Sequence, residues 1–378
     1  MSLHSAKTTA ALPDGRVHLR WDIFCRVIDN HGDLGVCWRL SADLADRGHE
    51  VRLWVDDASA LAWMAPSGHP RVCVLPWSDN PLANLSEPGD VAIEAFGCEL
   101  PTQYQAALLR TAQTRSHALV VWINLEYLSA QAYVERSHGL PSPVLSGPAT
   151  GLTKWFFYPG FTAKTGGLIR EPLLSARLAP SAPLPESKEP DSAPRLNRAL
   201  RISLFCYEPP GLPDWLHQLS HSPQPSHLWV AAGRSQVAVQ RCLPPGHRHG
   251  TSLNLRYLPY LTQAGYDRLL QHADLNIVRG EDSLVRALWA GRPLIWHIYP
   301  QDDGAHLDKL EAFLSASQAP ASLADLHRRW NAPQALPLPP LNRTLLGSWA
   351  EWAHSCRQTL MAQPDLTTQL TAFVISKR

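Results

Sequence analysis

Several features that define common protein classes are missing from this sequence of 378 residues. Lysine and arginine together number 34 against 33 aspartates and glutamates, so no broad basic field favours binding to nucleic acid. No apolar run reaches the ~20 residues that a bilayer-spanning helix needs. Residues 1–15 are small and polar and do not resemble a secretory signal. These absences predict a cytoplasmic protein that binds neither membranes nor nucleic acid.

Paired cysteines and a dinucleotide motif are also absent. The seven cysteines are scattered, and none forms a CxxC pair. An odd number of dispersed thiols fits a reducing compartment and argues against a structural zinc site. Because no GxGxxG follows the first predicted strand, a dinucleotide cofactor is not favoured.

The first half of the chain alternates between strand and helix patterns. The spacing of Val36, Leu40 and Leu44 predicts a helix over residues 35–47. The aromatic run at residues 154–161 is either a last strand or a packed loop. Runs rich in apolar, β-branched and aromatic residues predict strands at 21–29, 50–55, 71–75, 91–95 and 119–124.

The second half repeats this alternation, which is typical of doubly wound parallel sheets. The predicted strands are 201–208, 228–232, 253–258, 275–278 and 293–299. The predicted helices are 266–272, 282–290 and 303–316, and residues 345–373 are helical in pattern with a break near Pro364. The sequence therefore predicts an α/β protein with two Rossmann-like domains, and its length suffices for both.

A stretch rich in proline, serine and charge separates the two halves and predicts a linker or an exposed insertion. We therefore expect five segments. They are a mobile extension (1–18), a first Rossmann-like domain (19–177), the linker (178–197), a second Rossmann-like domain (198–345) and a C-terminal helical segment (346–378).

The first candidate site is the turn between the first strand and the first helix. Asp29 and Asp33 lie four residues apart there, so both carboxylates can face one cleft beyond the end of the strand. Gly32 and Gly35 let the backbone approach a ligand closely. The alternative is purely structural: Asp29 makes an Asx turn, and Asp33 caps the helix.

The second candidate site is the segment from Arg279 to Ser283, at the start of a predicted helix. A helix N-terminus offers unpaired N–H groups and a positive dipole end, which suit a diphosphate. Arg279 adds a guanidinium that can bind phosphate with two hydrogen bonds. Glu281 and Asp282 also allow a simpler interpretation, a capped helix with a surface ion pair.

A third group of polar and aromatic residues follows strand ends in the second half. The rings of Phe205, Tyr207 and Tyr260 can stack on a nucleobase, and the amide of Gln263 can read its edge. Packing of these rings in the core is the competing explanation.

Long sequence blocks resemble the bacterial protein-arginine rhamnosyltransferases that mature elongation factor P. The blocks are WDIFCRVIDNHGDLGVCWRL, WINLEYL, SHGLPSP, FFYPGFT with TGGL, SLFCYE, RYLPYL and RGEDSLVRALWAGRPLIWHIYPQ. The resemblance implies a GT-B fold, in which two Rossmann-like domains face each other across a cleft. It also implies an inverting transfer of rhamnose from dTDP-β-L-rhamnose to an arginine of elongation factor P, which activates that factor for ribosomes stalled at polyproline.

The resemblance also implies roles for individual residues. Asp33 matches the family's general base, Asp29 its partner acid, and Glu281 an acid required for activity. The first domain is expected to dock the acceptor, the second to bind the donor, and the last helix to return to the first domain. The implied donor-binding residues are Gly32, Phe205, Tyr207, Tyr260, Gln263, Arg279, Asp282 and Ser283. This chain departs from the family pattern at two positions. His31 stands where Phe or Tyr is common, and Tyr260 stands where Phe is common.

No metal and no cofactor are expected beyond the sugar donor. Arg279 and Lys309 can neutralise a diphosphate without a divalent ion. The acidic pairs 56–57 and 302–303 lack the surrounding pattern of metal-dependent glycosyltransferases. Two other functions remain open: a sugar-nucleotide epimerase that needs no protein acceptor, and a non-catalytic protein that binds elongation factor P or a nucleotide.

Overall fold

The computed structural model describes residues 17–28, 31–77, 87–114, 120–172, 174, 199–243 and 252–378. The first half forms a seven-stranded sheet in the order β3-β2-β1-β4-β5-β7-β6, parallel except for β6. Its strands are β1 (Arg20–Cys25), β2 (Glu50–Val55), β3 (Val72–Pro76), β4 (Val91–Ala95), β5 (Val121–Leu125), β6 (Pro141–Pro143) and β7 (Thr153–Phe157).

The second half forms a five-stranded parallel sheet in the order β10-β9-β8-β11-β12. The strand order reverses between β8 and β11, as it does between β1 and β4 in the first sheet. Each reversal leaves a crevice at the carboxyl ends of the strands, where such folds bind ligands. The strands are β8 (Leu200–Leu204), β9 (Ser226–Val230), β10 (Leu253–Tyr257), β11 (Leu275–Arg279) and β12 (Leu294–His297).

Helices cover the sheets because both faces of the central strands are apolar. In β1, Trp21 and Ile23 belong to the large core, and Phe24 points to a smaller cluster on the opposite face. The helices of the first half are α1 (Gly32–Asp46), α2 (Leu61–Met64), α3 (Thr102–Thr114) and α4 (Ala132–Ser137). Those that follow are α5 (Leu212–Ser220), α6 (Arg234–Cys242), α7 (Gln263–His272), α8 (Gly280–Ala290), α9 (Ala305–Ala316), α10 (Ala321–Trp330), α11 (Arg343–Met361) and α12 (Leu366–Lys377).

The two-sheet α/β architecture confirms the predicted fold class, although several element bounds differ. The first strand ends at Cys25 instead of continuing to residue 29, and Ile28 is exposed. Helix α1 begins three residues earlier than its apolar spacing predicts, because the apolar face starts only at Leu34. The sequence patterns do not predict helices α2, α3, α4, α5, α6 and α10. The aromatic run at 154–161 is a strand up to Phe157 and irregular beyond it.

The two halves meet along helices α1 and α8, and the end of the chain packs on the first half. Trp289 in α8 donates a hydrogen bond from its indole nitrogen to the carbonyl of Ile169, 2.8 Å away. In α12, the ring of Phe373 lies 5.7 Å from that of Phe157 in β7. The expected segment bounds stay predictions, and the extension up to residue 16 and the linker 178–197 lie outside the described residues.

Among the residues that the structure describes, no helix is both long and apolar enough to span a bilayer.

Candidate functional site

A cavity of about 330 Å³ lies between the two sheets, lined by residues from both halves. It opens at the carboxyl ends of β8 and β11, the crevice where the strand order of the second sheet reverses. From the first half, its lining includes His31, Gly32, Arg39, Trp63 and Met64. From the second half, it includes Phe205, Tyr260, Gln263, Tyr266 and residues 279–283.

Arg279 is a buried cation on the wall of this cavity, with 7% of its surface exposed. Its guanidinium carbon lies 4.5 Å from the ring centroid of Phe205 and 4.7 Å from that of Tyr207. The two rings hold the guanidinium by cation–π contacts. Its Nη1 has no hydrogen-bond partner among the described residues. A buried guanidinium with an unused donor is suited to binding an anion.

Helix α8 starts beside this guanidinium. Arg279 is the residue that precedes the helix, and Gly280, with φ of +65°, makes the sharp transition from β11. Ser283 lies in the first turn and lines the cavity. The first N–H groups of a helix have no partner within it, so a ligand in the cavity can approach both these groups and the Ser283 side chain.

The predicted nucleobase-binding residues occupy two environments. Tyr260 is 51% exposed and lines the cavity together with Phe205. Gln263 also lines it, and its amide nitrogen donates to the carbonyl of Gly35 at 3.0 Å, which links the two halves. Tyr207, in contrast, is 1% exposed and lies behind Arg279. The structure therefore places Tyr207 as a support for the guanidinium.

Asp33 lies in the first turn of α1 and is 6% exposed. Its carboxylate accepts a hydrogen bond from the backbone N–H of Ile28 at 3.1 Å. The two preceding residues, His31 and Gly32, line the cavity, whereas Asp33 itself is not among the lining residues. Its predicted partner Asp29 lies outside the described residues.

Glu281 connects the two halves at another edge of the cavity. One carboxylate oxygen accepts from the backbone N–H of Leu128 at 2.7 Å, and the other lies 2.7 Å from the ammonium of Lys309. Leu128 follows β5 in the first half, and Lys309 lies in α9 of the second. Lys309 thus neutralises Glu281 in this structure, whereas its sequence position suggested a role at the diphosphate.

A buried cluster of five charges lies at the junction of the two halves and includes two cavity residues, Arg39 and Asp282. The guanidinium of Arg39, in α1, is 3.2 Å from Glu171, 3.1 Å from Asp267 and 2.8 Å from Asp282. Arg286, in α8, is 2.7 Å from both Glu171 and Asp267. Two cations and three acids share this site.

The pKa values of Glu171 and Asp282 are shifted in opposite directions. Burial alone would raise the pKa of Glu171, but the guanidinium groups of Arg286 and Arg39 lower it to about 2. Burial raises the pKa of Asp282, and the attraction of Arg39 offsets this shift only in part. Glu171 is consequently ionised at neutral pH, and the charge of Asp282 is held less easily than that of Glu171.

Comparison with known proteins assigns a family to this arrangement. A sequence model of the family described as Elongation-Factor P (EF-P) rhamnosyltransferase EarP matches residues 21–375. The chain belongs to this family.

Relatives named protein-arginine rhamnosyltransferase support the assignment. Those of Pseudomonas putida and Pseudomonas aeruginosa are each 42% identical, over 93% of this chain and 98% of theirs. One from Neisseria meningitidis is 35% identical over 93% of this chain and 96% of its own. The EarP family member is therefore a glycosyltransferase.

A solved structure shows the same fold. It concerns EarP-mediated arginine glycosylation of translation elongation factor EF-P, and it matches with a TM-score of 0.60 and 30% identity over 95% of this chain and all of its own. A glycosyltransferase of kitacinnamycin matches in fold alone, with a TM-score of 0.51 and 12% identity. The two facing Rossmann-like domains are those of a GT-B enzyme, as the sequence predicted.

The structure brings together most residues predicted from the sequence and adds others. Of the predicted set, Gly32, Phe205, Tyr260, Gln263 and 279–283 share one cavity lining. Sequence reasoning missed Arg39, Glu171, Asp267, Arg286, Trp63 and Met64. Of these residues, only Arg286 could have been noticed in the sequence, because it is a charged residue on an otherwise apolar helix face. The other residues lie far apart in the sequence, so their contacts could not be predicted without the fold.

Proposed function

We propose that this EarP family member transfers rhamnose from dTDP-β-L-rhamnose to an arginine side chain of elongation factor P, with inversion at the anomeric carbon. The observation that carries the donor assignment is the buried Arg279, whose Nη1 lacks a partner among the described residues at the start of helix α8. A diphosphate supplies the anionic oxygens that this donor and the helix start can bind.

The rest of the donor is assigned from the cavity lining. The thymine ring lies between Phe205 and Tyr260, where aromatic faces make stacking favourable. The hydroxyl of Ser283 and the first N–H groups of α8 bind the diphosphate beside Arg279. Because these groups concentrate positive potential at the diphosphate, they also stabilise the charge that develops when dTDP leaves.

Attack by the acceptor arginine requires a carboxylate of the enzyme. A guanidinium is a weak nucleophile, because its lone pairs are delocalised and it stays protonated near neutral pH. Asp33 directly follows the cavity residues His31 and Gly32 and accepts a hydrogen bond from the amide of Ile28. In this proposal Asp33 orients the acceptor guanidinium and takes a proton from the attacking nitrogen, and Asp29 supports the same group.

The reaction is then a single displacement. The arginine nitrogen forms a bond to the anomeric carbon, the bond from that carbon to the dTDP oxygen breaks, and the proton from nitrogen goes to Asp33. The electron pair of the broken bond leaves with dTDP, which Arg279, Ser283 and the helix start stabilise. No covalent sugar–enzyme intermediate is required, and attack from the opposite side inverts the configuration.

The acceptor and the absence of a metal requirement are part of the same proposal. The names of the relatives and the solved structure concerning EarP-mediated arginine glycosylation of EF-P support an arginine of elongation factor P as the target. The modified factor is expected to act on ribosomes stalled at polyproline. The cationic Arg279 and the start of α8 can take the place of a divalent ion at the diphosphate.

One experiment separates this function from an epimerase and from a binding protein. The chain is incubated with dTDP-β-L-rhamnose and unmodified elongation factor P, and the intact mass of the acceptor is measured. The proposal predicts the mass of one added deoxyhexose, located on an arginine by fragmentation. An unchanged acceptor with an altered sugar nucleotide indicates an epimerase, and two unchanged reactants indicate a binding protein. Both outcomes contradict the proposal.

A further inference from the structure

Two aromatic side chains of the first domain contact Tyr260 at the mouth of the cavity. The ring centroid of Trp63 lies 4.7 Å from that of Tyr260, with 34° between the ring planes. His31 presents its ring edge-on to both, at 5.3 Å from Trp63 and 6.4 Å from Tyr260. Each of the three lines the cavity. Tyr260 therefore belongs to the second domain but packs on the first.

The surroundings of Tyr260 within its own domain give its ring little support. Residues 258–262 form neither helix nor strand, and half of the Tyr260 surface is exposed. On the side of its own domain, its hydroxyl lies near Gly233, where an added Cβ would come within 3.5 Å of the hydroxyl oxygen. An exposed ring on an irregular segment samples several orientations unless a neighbour restricts it.

We propose that Trp63 is a positioning residue that braces Tyr260, so that its ring is held for stacking on the nucleobase of the donor. This inference rests on the proposed function and goes beyond it, because it makes nucleoside binding depend on the first domain. Trp63 lies in the short helix α2 of the first domain, and Tyr260 lies in the second. Stacking of the base on Tyr260 therefore depends on how the two domains face each other.

The expected effect is moderate because the bracing acts through another ring. Loss of one aromatic pair corresponds to a change in affinity of about two- to tenfold. Trp63→Leu keeps apolar bulk but removes the flat face. Trp63→Phe keeps a flat face and should rescue binding. The effect should be confined to ligands that carry a base, because the diphosphate binds at Arg279 and α8.

The test measures the affinity of the full-length protein for dTDP by calorimetry, together with competition by inorganic pyrophosphate, which lacks a base. We expect Trp63→Leu to weaken dTDP binding about two- to tenfold and to leave the affinity for pyrophosphate unchanged. Trp63→Phe should restore the affinity for dTDP. In turnover, Trp63→Leu should raise the KM for the donor and keep kcat at saturation. The matched control is Trp77→Leu, a partly buried tryptophan of the first domain outside this cavity, which stacks on Arg26.

Three outcomes would overturn the inference. If Trp63→Leu binds dTDP as tightly as the unaltered chain while Phe205→Leu loses binding, the bracing role is wrong and the donor site stands. If Trp63→Leu weakens dTDP and pyrophosphate equally, the residue only maintains the shape of the cavity. If the unaltered chain does not bind dTDP at all, the proposed function fails together with the inference.

Discussion

Replacing Arg39 by methionine tests the buried charge cluster that joins the two domains. Methionine keeps much of the length of the side chain but removes the guanidinium that contacts Glu171, Asp267 and Asp282. Three acids then surround the single cation Arg286. Breaking a buried ion pair by removing one partner costs about 3–5 kcal/mol, because the remaining charge is left buried and uncompensated.

Urea denaturation measures this loss, and Arg328→Met is the matched control. Arg328 pairs with Glu311 at 2.6 Å, but both side chains are about half exposed, at 52% and 48%. Exposed pairs contribute about 0–1 kcal/mol, so the control should stay close to the unaltered chain. If Arg39→Met loses less than about 1 kcal/mol, the account of the cluster is refuted, since it would then be no more important than a surface pair.

A second test measures how the free energy of unfolding depends on pH in Arg39→Met and in the unaltered chain. The pKa of Glu171 is lowered from 4.5 to about 2 by Arg286 and Arg39, against the effect of burial. A lowered pKa stabilises the fold above the unfolded value, and this contribution, of about 3 kcal/mol, is lost as the pH falls from roughly 5 towards 2. Asp282, whose pKa is raised, changes stability in the opposite direction. The difference in the free energy of unfolding between Arg39→Met and the unaltered chain should therefore become smaller as the pH falls from roughly 5 towards 2. A difference that does not change with pH would contradict the role given to Glu171.

Three further predictions concern catalysis. Asp33→Asn should lower kcat by about 10²- to 10⁴-fold and largely preserve dTDP affinity, because the base is lost and the donor contacts stay; near-normal turnover would exclude Asp33 as the base. Arg279→Ala and Ser283→Ala should each weaken dTDP binding by calorimetry, with a loss of about 10- to 100-fold for the charged Arg279; unchanged affinity in both would exclude the diphosphate site at α8. Activity should survive excess EDTA, since Arg279 and the helix start neutralise the diphosphate; a complete loss that magnesium restores would contradict this.

The sequence was sufficient for the elements whose patterns are local. The run Glu50–Val55 was predicted as a strand, and its bounds are the same in the structure. Helix α8 was recognised from its apolar face, and it ends where Gly291 adopts a left-handed φ of +63°. Helix α2 could not be recognised because its four residues are too few to show a helical period.

The candidate site was predictable in part for the same reason. Residues 279–283 and Asp33 could be found because each follows a strand and begins a helix, a position that binds ligands in this type of fold. The partners of Glu281 could not, because Leu128 is 153 residues away and only the fold brings its amide to the carboxylate. The bracing of Tyr260 by Trp63 depends equally on how the two domains face each other.

A structure of the chain in complex with dTDP would test the donor assignment most directly. We predict that the diphosphate contacts Arg279 Nη1, the hydroxyl of Ser283 and the first N–H groups of α8, with the thymine between Phe205 and Tyr260. Binding of dTDP at another place, with Arg279 Nη1 still lacking a partner, would contradict the account.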